Sequence, residues 1–210
     1  MSKRAKFVIG RTGFYAIVIA LFLFMISPIV WIAATSLQPY KNLTSIPPRI
    51  QAGDTSFAAY HKLFGDTNFL DALGNTVLIT TTTSVLSIVL ASLTAFVMAF
   101  FSFRYKNGIL FLMTSIQMAP AIALLIPLFM LLRTLALIDT YLGTIMVMAL
   151  FIAPLATWML KSFFQEIPRE LLEAARIDGC GRLEAMFRIV LPLGTSGILA
   201  TFIFCFITSW

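Results

Sequence analysis

Five stretches of this chain, residues 12–40, 72–103, 107–132, 140–160 and 189–210, contain no Asp, Glu, Lys, Arg or His. Each reaches or exceeds the roughly 20 residues that an α-helix needs to cross about 30 Å of hydrocarbon. Lipid offers no partners to backbone amides and carbonyls, so a spanning segment must be helical or belong to a closed barrel. The apolar residues run on without the period-two alternation of barrel strands. The sequence therefore predicts an all-α membrane protein, a polytopic helical bundle with five spans. Composition agrees: 60% of residues are hydrophobic and 11% charged, against roughly half and a quarter in soluble domains.

Lys3, Arg4, Lys6 and Arg11 precede the first run, as in a signal peptide. That run extends from Thr12 to Leu37, beyond the about 7–15 residues of a signal h-region, so it reads as a retained anchor. Orientation follows from the basic residues between spans. Lys3, Arg4, Lys6, Arg11, Arg104, Lys106, Lys161, Arg169, Arg176, Arg182 and Arg188 fall on one side, and Lys41, Arg49, Lys62 and Arg133 on the other. The first side is expected to be cytoplasmic, which puts residues 1–12 there. The net charge of +6 follows from that asymmetry more simply than from nucleic-acid binding.

Between the spans the chain is expected to alternate. Helix one should cover about Phe14 to Leu37, kinked at Pro28, with Ser27 able to satisfy a freed carbonyl. An external segment, 38–74, is rich in turn signals such as Pro39, Pro47-Pro48 and Gly53-Asp54, and includes an amphipathic piece, Phe57 to Phe64. Helix two should run from about Asn75 to Phe101. Its polar stripe (Thr76, Thr80 to Ser84, Ser87, Ser92 and Thr94) suits close helix–helix approach. Pro120 and Pro127 in the third span imply irregular backbone covered by protein or lining a cavity, and Pro154 should interrupt the fourth. Thr80, Ser84, Gln117 and Pro120 are the candidates for a substrate pathway, with interhelical packing as the competing role.

Residues 161–194 form one elaborate polar loop. Pro168 suits a first helical position. Glu166, Arg169, Glu170, Glu173 and Arg176 fall on one helical face, and Ile167, Leu171, Leu172 and Ala175 on the other. Arg169 and Glu173 are spaced to pair at i,i+4, for about 0.3–0.5 kcal/mol. Gly179 is placed to end this helix in a left-handed conformation. A second short helix should carry Leu183, Met186, Phe187 and Val190 on one face until Pro192 interrupts it.

Enzyme chemistry finds no support. No GxxxxGK[ST] or GxSxG segment occurs. His61 is the sole histidine and neither cysteine reaches it, so no metal site is expected. Cys180 and Cys205 lie a span apart and cannot form a disulfide. No ionisable residue lies deep in the first four spans, where ion-coupled carriers keep one. Energy for transport should come from another chain.

Glu173-Ala174-Ala175, three residues, Gly179, nine residues, then Ile189-Val190-Leu191-Pro192 resembles the EAA loop of ABC importer transmembrane subunits. The extended form from Ile167 to Gly179 is similar to the carbohydrate-importer, maltose-transporter-like branch of binding-protein-dependent permeases. Weaker segments agree in order: Ser36-Leu37-Gln38-Pro39, Pro47-Pro48, Tyr60, Asn75-Thr76, Ile126-Pro127-Leu128, Leu137-Ile138-Asp139-Thr140-Tyr141 and Phe163-Phe164. Cys180 and Ala59 depart from the pattern.

The resemblance implies a type I ABC importer permease fold over residues 13–210, with a sixth span expected after Trp210 and missing here. It implies an inner-membrane subunit that translocates a sugar or related solute and is not an enzyme. The implied partners are an ATP-binding subunit dimer holding ATP and Mg, a second homologous permease, an extracytoplasmic solute-binding protein and membrane lipid. The coupling residues it implies are Arg169, Leu172, Glu173, Ala174, Ala175, Asp178, Gly179, Ile189, Leu191 and Pro192. The loop reports the engine and not the cargo, so a peptide or amino-acid permease stays open, as does a truncated, non-transporting membrane protein.

Overall fold

The computed structural model describes residues 3–46, 53, 55–118 and 120–210, with side chains from residue 13 onward except Ala121. Pro47-Pro48, Arg49 and Asp54 lie outside the described residues. Every regular element among those described is helical. The chain divides into two compact units, residues 1–71 and 72–210.

In the first unit, α1 (Lys3–Ser36) passes through Pro28. Pro28 has no N–H to give the Phe24 carbonyl, and the Ser27 hydroxyl donates to that oxygen instead, at 2.8 Å. This is the rescue expected of Ser27. After α2 (Tyr40–Leu43), the amphipathic piece forms α3 (Ala58–Phe64). Tyr60 on α3 shares a 2.7 Å hydroxyl contact with Ser36, and Ser56 N–H donates to the Leu37 carbonyl at 2.8 Å. His61 is exposed.

α4 (Thr67–Phe100) starts two turns before the expected Asn75. The reason is local: Asp66 Oδ1 accepts from Asn68 N–H at 3.0 Å, and a carboxylate N-cap satisfies a donor that the first turn leaves free. The third apolar run is not one straight helix. It breaks into α5 (Lys106–Met118) and α6 (Ala121–Thr134), bent by 102°, with Pro120 in the extended region (φ −63°, ψ 124°) ahead of α6. Pro127 stays inside α6.

α7 (Tyr141–Gln165) is capped by the Thr140 hydroxyl, which accepts from Gly143 N–H at 3.0 Å. It runs through Pro154, so the expected interruption there does not occur. Next come α8 (Arg169–Ile177) and α9 (Arg182–Ala185). α9 continues through a wide π turn, Met186–Val190, into α10 (Leu191–Leu193), and α11 is Thr195–Ser209. Pro192 does not interrupt this segment either. The π turn lies just ahead of it, where a missing Pro N–H forfeits the α-helical bond to the Arg188 carbonyl. The chain turns two residues later, at Gly194, where the halves 182–193 and 195–209 meet at 78°.

Three helices, 13–36, 67–100 and 141–165, are long and apolar enough to cross a membrane, and up to five spans result if each bent pair counts as one. The second unit is built on Ala91, Ala95, Phe96 and Ala99 of α4, Ile152, Ala156, Leu160 and Phe164 of α7, and Cys205 of α11. The small α4 residues let the helices approach closely. Thr80, Thr83, Ser84, Ser87 and Ser92 are also buried, whereas Thr81 and Thr82 are exposed, so only part of the polar stripe of α4 faces protein.

Candidate functional site: the polar helix and its seat on the bundle

α8 is short, charged and strongly two-faced, and its ends are fixed by separate devices. Pro168 precedes its first turn. At the other end Gly179 adopts φ +84°. Its N–H donates to the Arg176 carbonyl at 3.2 Å, and Cys180 N–H reaches back to the Ala175 carbonyl at 2.8 Å. These two bonds and the left-handed glycine make a Schellman motif, the termination expected of Gly179. Glu184 then reaches back to Gly181 N–H (3.4 Å) and pairs with Arg188 (3.1 Å).

One face of α8 is seated on the bundle. Ile167, just ahead of it, is buried in the core with Met186 and Val190 from the π turn, and Leu172 packs on that core. Ala175 is buried too. Leu171 is exposed, contrary to the inward face expected of it. Leu183 and Phe187, one i,i+4 stripe, are exposed as well, while Ala185, Met186 and Val190 are inside. The expected Arg169–Glu173 pair is not formed. Arg169 instead donates to the Ala99 carbonyl at the end of α4, at 3.4 Å.

The remaining candidates divide by face. Glu173, Ala174, Asp178 and Gly179 are exposed, as is Pro192, while Ile189 and Leu191 are half-buried. The two alanines therefore serve different surfaces, Ala175 the bundle and Ala174 the outside. Desolvation first, and then the hydrogen bond and charge of Glu184, push the Cys180 thiol above its ordinary pKa. It stays protonated at neutral pH, a poor nucleophile.

Four residues that the sequence reading did not single out as site residues complete the seat. A Cβ on Gly194 would lie 2.7 Å from Phe164 Cε1 and 2.9 Å from the Val190 carbonyl, and one on Gly197 would lie 2.6 Å from Phe163 Cβ. Phe163 and Phe164 of α7 thus fit directly against the turn into α11. The Phe163-Phe164 pair was legible as a motif, but its complement lay thirty residues downstream with no local signal.

The substrate-pathway candidates do not converge. Thr80 and Ser84 lie at the α4–α11 contact: Thr80 Oγ1 donates to the Ser209 carbonyl at 3.4 Å, and Ser84 Oγ donates to the Thr80 carbonyl at 2.7 Å. Gln117 of α5 donates from Nε2 to the Phe151 carbonyl of α7 at 2.9 Å, one turn before Pro154. Pro120 stands at the α5–α6 break. Removing the interhelical bond in Gln117→Leu should lower stability in detergent by about 0.6 kcal/mol and leave solute affinity unchanged. Unfolding and solute-binding measurements on the same samples check both. Elsewhere Tyr141 OH donates to Asn75 Oδ1 at 2.7 Å, joining two of the weaker motif segments. Among the described residues no group of three or more His, Cys, Asp or Glu could hold a metal ion.

A polytopic helical membrane protein with a charged helix seated on the ends of its spans is the class this geometry defines. Residues 87–210 match the family of binding-protein-dependent transport system inner membrane components. The chain is 33% identical over 183 residues to the sulfoquinovosyl glycerol transport system permease protein SmoH of Agrobacterium fabrum, covering 87% of this chain and 64% of that one. It is 30% identical over 207 residues to the inner membrane ABC transporter permease protein YcjP of Escherichia coli, covering 98% and 74%. With the trehalose transport system permease protein SugB of Mycobacterium tuberculosis it shares 32% identity over 183 residues, covering 87% and 66%. Its fold matches a chain of a bacterial ABC transporter involved in the import of the acidic polysaccharide alginate, with a TM-score of 0.80, 22% identity and coverage of 100% and 73%.

The chain belongs to the binding-protein-dependent transport system inner membrane component family, as an ABC importer permease subunit of the carbohydrate-transport branch. It spans about two thirds to three quarters of the length of the relatives named above.

Proposed function

We propose that this chain is the permease subunit of an ATP-driven importer of a sugar or related polyol, coupled through residues 161–194 to a separate ATPase. In this reading the chain crosses the inner membrane five times with its N-terminus and α8 in the cytoplasm. The excess of Lys and Arg on that side supports the orientation. Its partners are an ATPase dimer that holds ATP and Mg, a second homologous permease and an extracytoplasmic solute-binding protein. The sugar assignment draws on relatives whose names specify sulfoquinovosyl glycerol and trehalose.

One observation carries the coupling role. α8 and the residues leading into it are seated on the bundle by Ile167 and Leu172, yet Leu171, Ala174 and Ile177 are exposed among charged residues. A docking helix needs such a surface: apolar contacts for a partner groove, and Glu173 to meet a basic group there. Arg169, Asp178 and Gly179 hold its ends. Ile189, Leu191 and Pro192 form the return path to the membrane. A push on α8 passes through Phe164 to the Gly194 turn and so to α11, which favours tilting of spans over sliding. Thr80, Ser84, Gln117 and Pro120 fit helix packing better than a solute path.

The test is co-purification of the ATPase with the permease pair. Glu173→Lys reverses an exposed charge that makes no ion pair among the described residues. It should abolish retention of the ATPase and ATP-dependent uptake while leaving the melting temperature of the permease unchanged. Full retention and uptake by that variant would refute the docking role.

A further inference from the structure

Two cavities meet at Arg182. The first is an open groove of about 120 Å³ between the end of α4, α8 and α9, with Arg169, Arg176 and Arg182 facing one acid, Glu173, over Phe100 and Phe101. The second, also open and about 580 Å³, runs along α4 between Leu93, Val97 and Phe103 on one side and Leu183 and Met186 on the other. Phe96, Phe101 and Arg182 line both.

The cations of the first groove are not spent on internal pairs. Arg182 stands 5.0 Å over the Phe101 ring, and Arg169 donates only to the Ala99 carbonyl. The one ion pair among the described residues, Arg188–Glu184, lies apart from them. The groove also sits at a defined depth. The charge-free run of α4 ends at Phe103 and Arg104 follows, so the groove opens where hydrocarbon gives way to headgroups, and the second cavity extends toward the hydrocarbon.

A purely apolar occupant would make no use of the three exposed guanidinium groups at the groove mouth. A small free anion would leave the second cavity unfilled. An amphiphile with an anionic phosphate head and an acyl chain satisfies both at once, since guanidinium groups bind phosphate oxygens in bidentate fashion and basic grooves at span ends suit anionic headgroups. We propose that these joined cavities bind one anionic phospholipid, with its phosphate at Arg169, Arg176 and Arg182 and an acyl chain along Leu93 and Val97. The lipid would thereby bridge the polar helix to the span on which it is seated.

The test uses the full chain in mild detergent, with retained lipid counted by native mass spectrometry. Dioleoyl phosphatidylglycerol should be held at one molecule per chain and at least about tenfold more tightly than dioleoyl phosphatidylcholine. Arg169→Ala and Arg182→Ala should each weaken it about fivefold, Arg182→Lys should keep most of the preference, and Arg133→Ala, on α6, should change nothing. Val97→Trp, which fills the apolar cavity, should weaken phosphatidylglycerol without touching a charge. Equal binding of the two lipids by the wild-type chain would overturn the proposal without recourse to any variant. So would unchanged binding by the arginine variants, or displacement by millimolar inorganic phosphate, which would make this a free-anion site. The ATPase is absent from every arm, so the result is independent of the coupling role.

Discussion

Gly197→Ala should destabilise the chain by about 1–3 kcal/mol, although alanine is the better helix former. In an open helix interior the same change stabilises by roughly 0.5–1 kcal/mol, because glycine loses more backbone freedom on folding. Here the sign inverts. The added methyl would sit 2.6 Å from Phe163 Cβ and 2.8 Å from Phe163 Cδ2. Those atoms belong to the base of a side chain anchored on α7 and cannot swing aside as a flexible tip would. Gly74 on α4 provides the control, with no heavy atom within 4 Å of a Cβ built there, so Gly74→Ala should be neutral or stabilising. Phe163→Ala in the Gly197→Ala background should recover much of the loss, and a double-mutant cycle should give a coupling energy of about 1–2 kcal/mol. Thermal unfolding of the four variants in one detergent, followed by circular dichroism, reads all of this. If Gly197→Ala melts with the wild-type chain, the close fit of α7 against α11 is wrong.

That fit also explains where reading the sequence stops. The apolar runs are legible because lipid enforces a continuous property, and each run of about 20 residues carries its own signal. The Gly179 termination is legible for a related reason: a Schellman turn is decided within six residues. Proline is a poorer guide. Pro28 and Pro154 remain inside helices, whereas Pro120 stands at a break. The difference lies in the neighbours. The Ser27 hydroxyl takes over the carbonyl freed by Pro28. At Pro154 the freed carbonyl is that of Leu150, Gln117 bonds the neighbouring Phe151 carbonyl, and the helix on either side is held by Ile152 and Ala156 in the core. The bend expected at Pro192 sits at Gly194 for a similar non-local reason, since only there does the Phe164 ring leave no room for a Cβ. Within the polar helix, the inward face was legible for Ile167, Leu172 and Ala175. It failed for Leu171, and for Leu183 and Phe187, whose stripe lies beside that of Met186 and Val190; only the latter is covered by the core.

Substitutions at Gly179 should rank in coupling as Gly, then Asn, then Ala, then Val, with permease stability changing far less than uptake. A Cβ at Gly179 meets no heavy atom within 4 Å, yet the residue holds φ +84°. Its requirement is thus purely conformational. A non-glycine residue in the left-handed region costs about 1–2 kcal/mol, and asparagine tolerates that region better than alanine. A β-branched residue does so least well. The penalty is escaped by unwinding the turn, which releases the Cys180–Ala175 and Gly179–Arg176 bonds and lets α8 rotate away from α9. The spans and the core from Ala91 to Ala99 are not involved. Uptake driven by ATP in proteoliposomes should therefore fall by about tenfold in Gly179→Val, given roughly 1.4 kcal/mol of lost preorganisation, with a thermal midpoint close to that of the wild-type chain. Asparagine should retain most of the activity. If valine couples as well as glycine, or if asparagine and valine fail equally, the left-handed turn is not what presents the helix to its partner, and the exposed strip of Leu171, Ala174 and Ile177 must be held by some other constraint.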